Sequence, residues 1–287
     1  MTKNLWISLW VVLGLSLFFM PLNSQASPQD WQKVKRPIPG DPQPIGGYSN
    51  GCLIGAVALP SEGEGYQVIR LNRNRYYGHP DMIAYLQRLG KKVKQAGLPE
   101  MLVGDIAMPG GGRFLTGHAS HQMGLDADIW LRMGKMSAKD ALNSDGKGLL
   151  VVNRKAQRVD DKVWNDNHRK LIQLAAQDPQ VSRIFVNPAI KVKLCQTVQG
   201  DRRWLQKIRP WFGHDSHFHV RLTCPKGATY CENQAPVPAG EGCGAELYSW
   251  FEPAKPSATP SKPKTIPPEP ILCQQIRSAP NRSEWLE

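Results

Sequence analysis

Five of the seven histidines fall in two short segments. The first reads Gly117-His118-Ala119-Ser120-His121-Gln122-Met123-Gly124-Leu125-Asp126-Ala127-Asp128. The second reads Trp211-Phe212-Gly213-His214-Asp215-Ser216-His217-Phe218-His219-Val220. Imidazole and carboxylate are the usual ligands of a catalytic zinc, with one coordination position left to water. In a strand, residues two apart share a face. His217 and His219 therefore project together, roughly 6.5–7 Å apart at about 3.3 Å per residue. That spacing suits one metal ligand and one neighbour that handles protons. Asp126 and Asp128 share a face by the same argument. A single such histidine would read as core or surface, whereas H-x-H with a second segment of histidines and acids reads as a metal centre. His79, at a helix start, reads as structural, and His168, in mid-helix, as solvent-facing.

Other chemistries lack their residues. There is no H-E-x-x-H. S-x-x-K occurs at Ser144/Lys147 and Ser261/Lys264, in an Asp-Gly turn and a proline-rich run, and neither opens a helix. No cysteine pair has C-x-x-C spacing, so neither a cysteine zinc site nor a redox motif is expected.

The elements that must position these residues are short. With 26 Gly and 24 Pro in 287 residues, long connections are expected. His79-Pro80-Asp81 opens a helix whose apolar face is Met82, Ile83, Leu86, Leu89 and Val93, closed by Gly97. Met101 to Ala107 reads as a buried strand, Pro109 to Gly112 as a loop, and Leu125 to Leu131 as a strand. Residues 138–152 read as an insertion. A second helix is expected over 161–177. Ile184-Phe185-Val186 reads as a strand closed by Asn187-Pro188, and His217 to Leu222 as an alternating strand. The pattern is α+β, a small, mostly antiparallel sheet with flanking helices and long loops.

Lys3 precedes an apolar run, Leu5 to Leu22, and Ser24-Gln25-Ala26 is a small-x-small pattern. This predicts a signal peptide over 1–26, the alternative being an uncleaved anchor. Removing 26 residues and the one charge of Lys3 leaves 261 residues at +11. All six cysteines remain, and an even count in an exported chain implies disulfides. Six cysteines allow 15 pairings, and spacing suggests only a local loop between Cys224 and Cys231. The compartment is then oxidising, a bacterial periplasm or the exterior. No recognition helix or RNA-binding signature is present, so the basic balance points to an anionic extracellular polymer rather than nucleic acid. The domain reading is 27–250 folded and 251–287 a solvated, proline-rich tail, with Cys273 tying it back.

In its two histidine segments the sequence resembles the penicillin-insensitive murein endopeptidases, members of the zinc-peptidase superfamily that includes D-Ala-D-Ala dipeptidases, lysostaphin-like enzymes and the hedgehog zinc domain. The shared pattern, H-x6-D then H-x-H, is His121…Asp128 and His217-Phe218-His219. Ser49-Asn50-Gly51-Cys52, Tyr77-Gly78-His79-Pro80-Asp81 and Gly242-Cys243-Gly244-Ala245-Glu246 extend the likeness over about Trp31 to Phe251. The resemblance implies a zinc held by His121, Asp128 and His219, with His118 a further candidate ligand. It implies His217 as general base or transition-state stabiliser, with His118 and His214 lining the site. Asp126, which shares the face of Asp128, and Arg113 in the Gly-rich loop join that lining, Arg113 to meet a substrate carboxylate. Disulfides Cys52–Cys273, Cys195–Cys243 and Cys224–Cys231 are implied too. Some relatives hold a second metal through an Asp and a His of the central insertion. Here that stretch reads Asn153 to Arg158 without such ligands, so one zinc is expected. The implied substrate is the D-alanyl–meso-diaminopimelyl cross-link of peptidoglycan. A D-Ala-D-Ala dipeptidase or carboxypeptidase with the same ligands, and a non-catalytic wall-binding module, are the competing readings.

Overall fold

The computed structural model describes residues 28–253 and 267–286. The expected signal peptide and Pro256, Pro260 and Pro263 of the proline-rich run lie outside the described residues. Among the described residues, no helix is long and apolar enough to cross a membrane. The architecture is α+β, built on a seven-stranded, mainly antiparallel sheet. At its centre His217–Leu222 lies between Asp126–Met133 and Val181–Val186, antiparallel to both.

Alternation decides what each face of these strands carries. Ala127, Ile129 and Leu131 join Phe218, Val220 and Leu222 in the main apolar cluster. The helices Pro80–Gln95, Asp166–Ala176 and Pro188–Thr197 contribute to the same cluster through Leu86, Leu171 and Ile190, among others. Asp126, Asp128, His217, His219 and Arg221 are left for the opposite face.

The first helix follows the expected periodicity and caps. His79 Nδ1 accepts from the Asp81 amide at 3.1 Å, the structural role expected of it. Gly97 follows with φ 65°, a conformation in which a side chain is disfavoured. The second helix starts later than expected, at Asp166, because Asn165 caps it. His168 is buried rather than solvent-facing. As the third helical residue it turns back, its Nδ1 accepting from the Asn165 amide at 3.0 Å, and it stacks on Trp164. Asn187-Pro188 ends a strand as expected but also opens the helix Pro188–Thr197: Asn187 Oδ1 accepts from the Ala189 amide, and proline fits a first helical position. Met101–Val103 is shorter than the expected strand because the backbone leaves the ladder to turn Asp105 toward the histidines.

A second apolar cluster joins the chain ends. Trp31, Val34, Ile38, Cys52, Phe114, Cys273 and Trp285 pack together. Residues expected to be solvated tail thus supply the helix Ile271–Arg277 and buried side chains. The glycines of the Pro109–Gly112 loop are required here: a Cβ on Gly112 would lie 2.2 Å from the Trp31 ring. All three disulfides implied by the resemblance form. Cys52–Cys273, across 221 residues of sequence, pins this second cluster. Replacing both cysteines by alanine is expected to cost about 2–5 kcal/mol, read as a lowered melting temperature. An unchanged melting curve would show that apolar packing alone holds the C-terminal helix.

Candidate metal centre

Antiparallel pairing sets His219 opposite Asp128 and Arg221 opposite Asp126. A one-residue slip would drive these polar side chains into the apolar core, so the alternating pattern specifies the register. Asp126 is the buried support. It accepts from Arg221 Nε at 2.8 Å and Nη2 at 3.1 Å, and from the His121 amide at 3.0 Å. Its Oδ1 lies 2.9 Å from His219 Nε2, without hydrogen-bond geometry. Burial alone would raise the Asp126 carboxyl, but Arg221 and His219 hold it well below the usual carboxylate range.

His121 adopts φ 68°, unusual for a residue with a side chain. The amide bond to Asp126 fixes one side of the residue. On the other side, its Nδ1 lies 2.7 Å from the carbonyl oxygen of Ile106. A carbonyl only accepts, so Nδ1 carries the proton and Nε2 presents a lone pair. That Nε2 and Asp128 Oδ1 are buried without hydrogen-bond partners, 3.4 Å apart. His219 Nδ1 is 3.6 Å from the same oxygen, and His118 Nε2 is 3.2 Å from Asp128 Oδ2.

Unpaired buried Lewis bases are costly, so their convergence calls for a cation. Donors about 2.0–2.2 Å from a tetrahedral zinc stand roughly 3.3–3.6 Å from one another, which these spacings match. The donor atoms of His118, His121 and Asp128 all lie within 4.8 Å of one another. His219 is not in that set and faces it through Asp128. The residues present fit a metal.

His217 Nε2 lies 3.8 Å from Asp128 Oδ1, and its ring is 4.9 Å from that of His214. Burial lowers the His217 pKa and takes those of His214 and His219 to about 4 and about 3. These imidazoles are neutral near pH 7. Asp128 shows the reverse balance: burial would raise it, but the imidazoles of His118, His217 and His121 hold it well below the ordinary value. A cleft of about 380 Å³ opens onto this group, lined by Ser49, His118, Phe185, Trp211, His214 and His219, among others.

A family model described as penicillin-insensitive murein endopeptidase matches residues 44–278. The chain belongs to the penicillin-insensitive murein endopeptidase family. A Haemophilus influenzae protein of that name is 78% identical over 269 residues, 93% of this chain and 94% of its own length. Proteins of the same name from Klebsiella pneumoniae (strain 342) and Escherichia coli (strain K12 / DH10B) are each 50% identical over 246 residues, covering 86% of this chain and 90% of theirs.

In this murein endopeptidase family member the fold brings His118, His121, Asp128, His214, His217 and His219 into one region. Asp126 lies beneath that group rather than on the cleft wall. Arg113 is half-buried in its loop, outside the residues that line the cleft. Sequence reasoning passes over Asp105 and Arg221. Asp105 is buried, 3.5 Å from His118 Nε2, and accepts from Arg75 at 2.9 Å and Arg73 at 3.2 Å. Burial would raise its carboxyl, but His118 and Arg75 help bring it to about 2. The available signal was a lone acid in an apolar run. For Arg221 it was a charge two residues beyond His219, hence on the same strand face.

Proposed function

We propose that the chain is an exported zinc endopeptidase that cleaves D-alanyl–meso-diaminopimelyl cross-links of peptidoglycan in the periplasm, independently of penicillin. The observation that carries this reading is the pair of unpartnered, buried donor atoms, His121 Nε2 and Asp128 Oδ1, flanked by His118 and His219 at a cleft. The names of the relatives support the substrate. Residues 27–250 form the peptidase unit in this reading, with 251–287 an appendage tied by Cys52–Cys273.

His121, Asp128 and His219 would hold the zinc, with His118 as a further ligand. Zinc supplies a Lewis acid for the scissile carbonyl and acidifies water for attack. His217, neutral and part-exposed, takes the proton of the attacking water at Nε2 and returns it to the leaving amine. His118 and His214 line the cleft and orient the peptide. Asp126 and Arg221 keep His121 and His219 in place. No serine is acylated in this scheme, so a β-lactam has no target in it.

Purified cross-linked muropeptide dimers, digested with the mature protein in the presence of penicillin, are expected to become monomers by mass. A zinc chelator should stop the conversion. Loss of terminal D-Ala with intact dimers would instead establish an exopeptidase. Zinc binding without any cleavage would establish a wall-binding module.

A further inference from the structure

Beside the cleft lies a second cavity that the reaction above does not use. It has a volume of about 360 Å³, and its lining includes Gln32, Lys35, Arg73, Asn74, Arg75 and Thr116. The two spaces meet at residues 116–118. Thr116 lines the second cavity, Gly117 and His118 line the cleft, and a Cβ on Gly117 would be 3.9 Å from Arg75 Nη1.

The two arginines of this cavity are fixed, and the positive charge at the cavity exceeds what the fold needs. The single 3-10 turn Leu71–Arg73 is flanked by Arg70 and Asn74, both in left-handed conformation. Arg73 and Arg75 thereby reach the same buried oxygen, Asp105 Oδ2. The Arg75 guanidinium lies 3.9 Å over the Phe114 ring, which sets its plane. Among the described residues, its Nε and Nη2 make no hydrogen bond. Arg73 also pairs with Asp145, which is half-exposed. Lys35 is exposed and joins the group through its carbonyl oxygen, which accepts from Asn74 Nδ2 at 3.5 Å. Its ammonium has no ion-pair partner among the described residues. Asp105 and Asp145 offset the two arginines. Lys35 adds a further positive charge, and with no carboxylate in the cavity lining this surplus faces open space.

We propose that this cavity is a subsite for a carboxylate-bearing arm of the peptide substrate, a proposal that rests on the endopeptidase reading above. A planar guanidinium with free donors matches a carboxylate, and the lysine adds a mobile point charge. The metal centre cleaves whatever amide reaches it. The neighbouring charge would select which peptides are held there.

The test compares cross-linked dimers bearing free carboxylates with the same dimers amidated, using zinc-loaded protein. Wild type is expected to favour the free acid about 10-fold or more in kcat/KM, mainly through KM. Lys35→Ala combined with Arg75→Gln leaves Arg73 on Asp105 and should abolish that preference while the amidated dimer is cleaved at its original rate. Equal cleavage of both dimers by wild type, or a preference that survives in the variant, would overturn the proposal. Calorimetric titration with the uncleavable stem tripeptide L-Ala-γ-D-Glu-meso-diaminopimelate and its amide gives an arm independent of turnover. If neither dimer is cleaved, the endopeptidase reading fails. Acid-selective binding lost in the variant would then still support the subsite, and its absence would sink it.

Discussion

Asp128→Asn is expected to abolish both metal binding and cleavage in a protein that still folds. The substitution keeps size and shape but removes the one charge around which His118, His121 and His219 are arranged. An amide nitrogen turned toward His121 Nε2 would offer a donor, and a donor cannot ligate a cation. Zinc content should fall from about one equivalent to near none, and dimer cleavage by on the order of 10³-fold or more. Circular dichroism should remain native, because the apolar faces of both strands are untouched. Full activity with zinc retained would remove Asp128 from the ligand set.

His217→Ala is expected to separate metal binding from turnover. The ring stands 3.8 Å from Asp128 on the cleft side and ligates nothing in the proposed reading. Zinc content should stay near one, KM should change little, and kcat should fall about 10²–10⁴-fold, the usual weight of a general base. The pH profile supplies a second readout. Burial lowers the His217 pKa, and a nearby cation would lower it further. The base works unprotonated, so activity should fall as pH drops through a value below the ordinary histidine range. That acid limb should be missing from the variant's residual rate. A variant with wild-type kcat would end the assigned role.

The legible parts of this protein are those where period and chemistry agree. In His217 to Leu222, alternation placed two histidines on one face and three apolar side chains on the other, and pairing with Asp126–Met133 obeys it. The helix after His79 carried its cap, its apolar stripe and its terminal glycine in the text. The illegible parts depend on what a segment meets in three dimensions. His168 looked polar and mid-helical, yet a cap three residues earlier turned it inward. Asn187-Pro188 is equally a stop for a strand and a start for a helix, and only the packing of Ile190 and Leu194 decides. The arginines that balance Asp105 come from a turn thirty residues away in sequence, a distance over which no local pattern speaks. Resemblance gave the disulfide pairing, where counting left fifteen choices.

The connectivity of Cys52 with Cys273 also bears on how the chain matures. In a polypeptide delivered N-terminus first, Cys52 emerges long before its partner, and Cys195, Cys224, Cys231 and Cys243 all pass it first. Oxidation in order of arrival would join Cys52 to Cys195 and Cys243 to Cys273, leaving only the local Cys224–Cys231 pair native. Native pairing therefore requires thiol–disulfide exchange, or a Cys52 kept reduced until the last few residues are across. Phe114 packs in the cluster this bond closes and also against the His121 ring. On the export reading proposed above, a hydrolase of this design would complete the support of its candidate metal site last, once Cys273 has crossed the membrane.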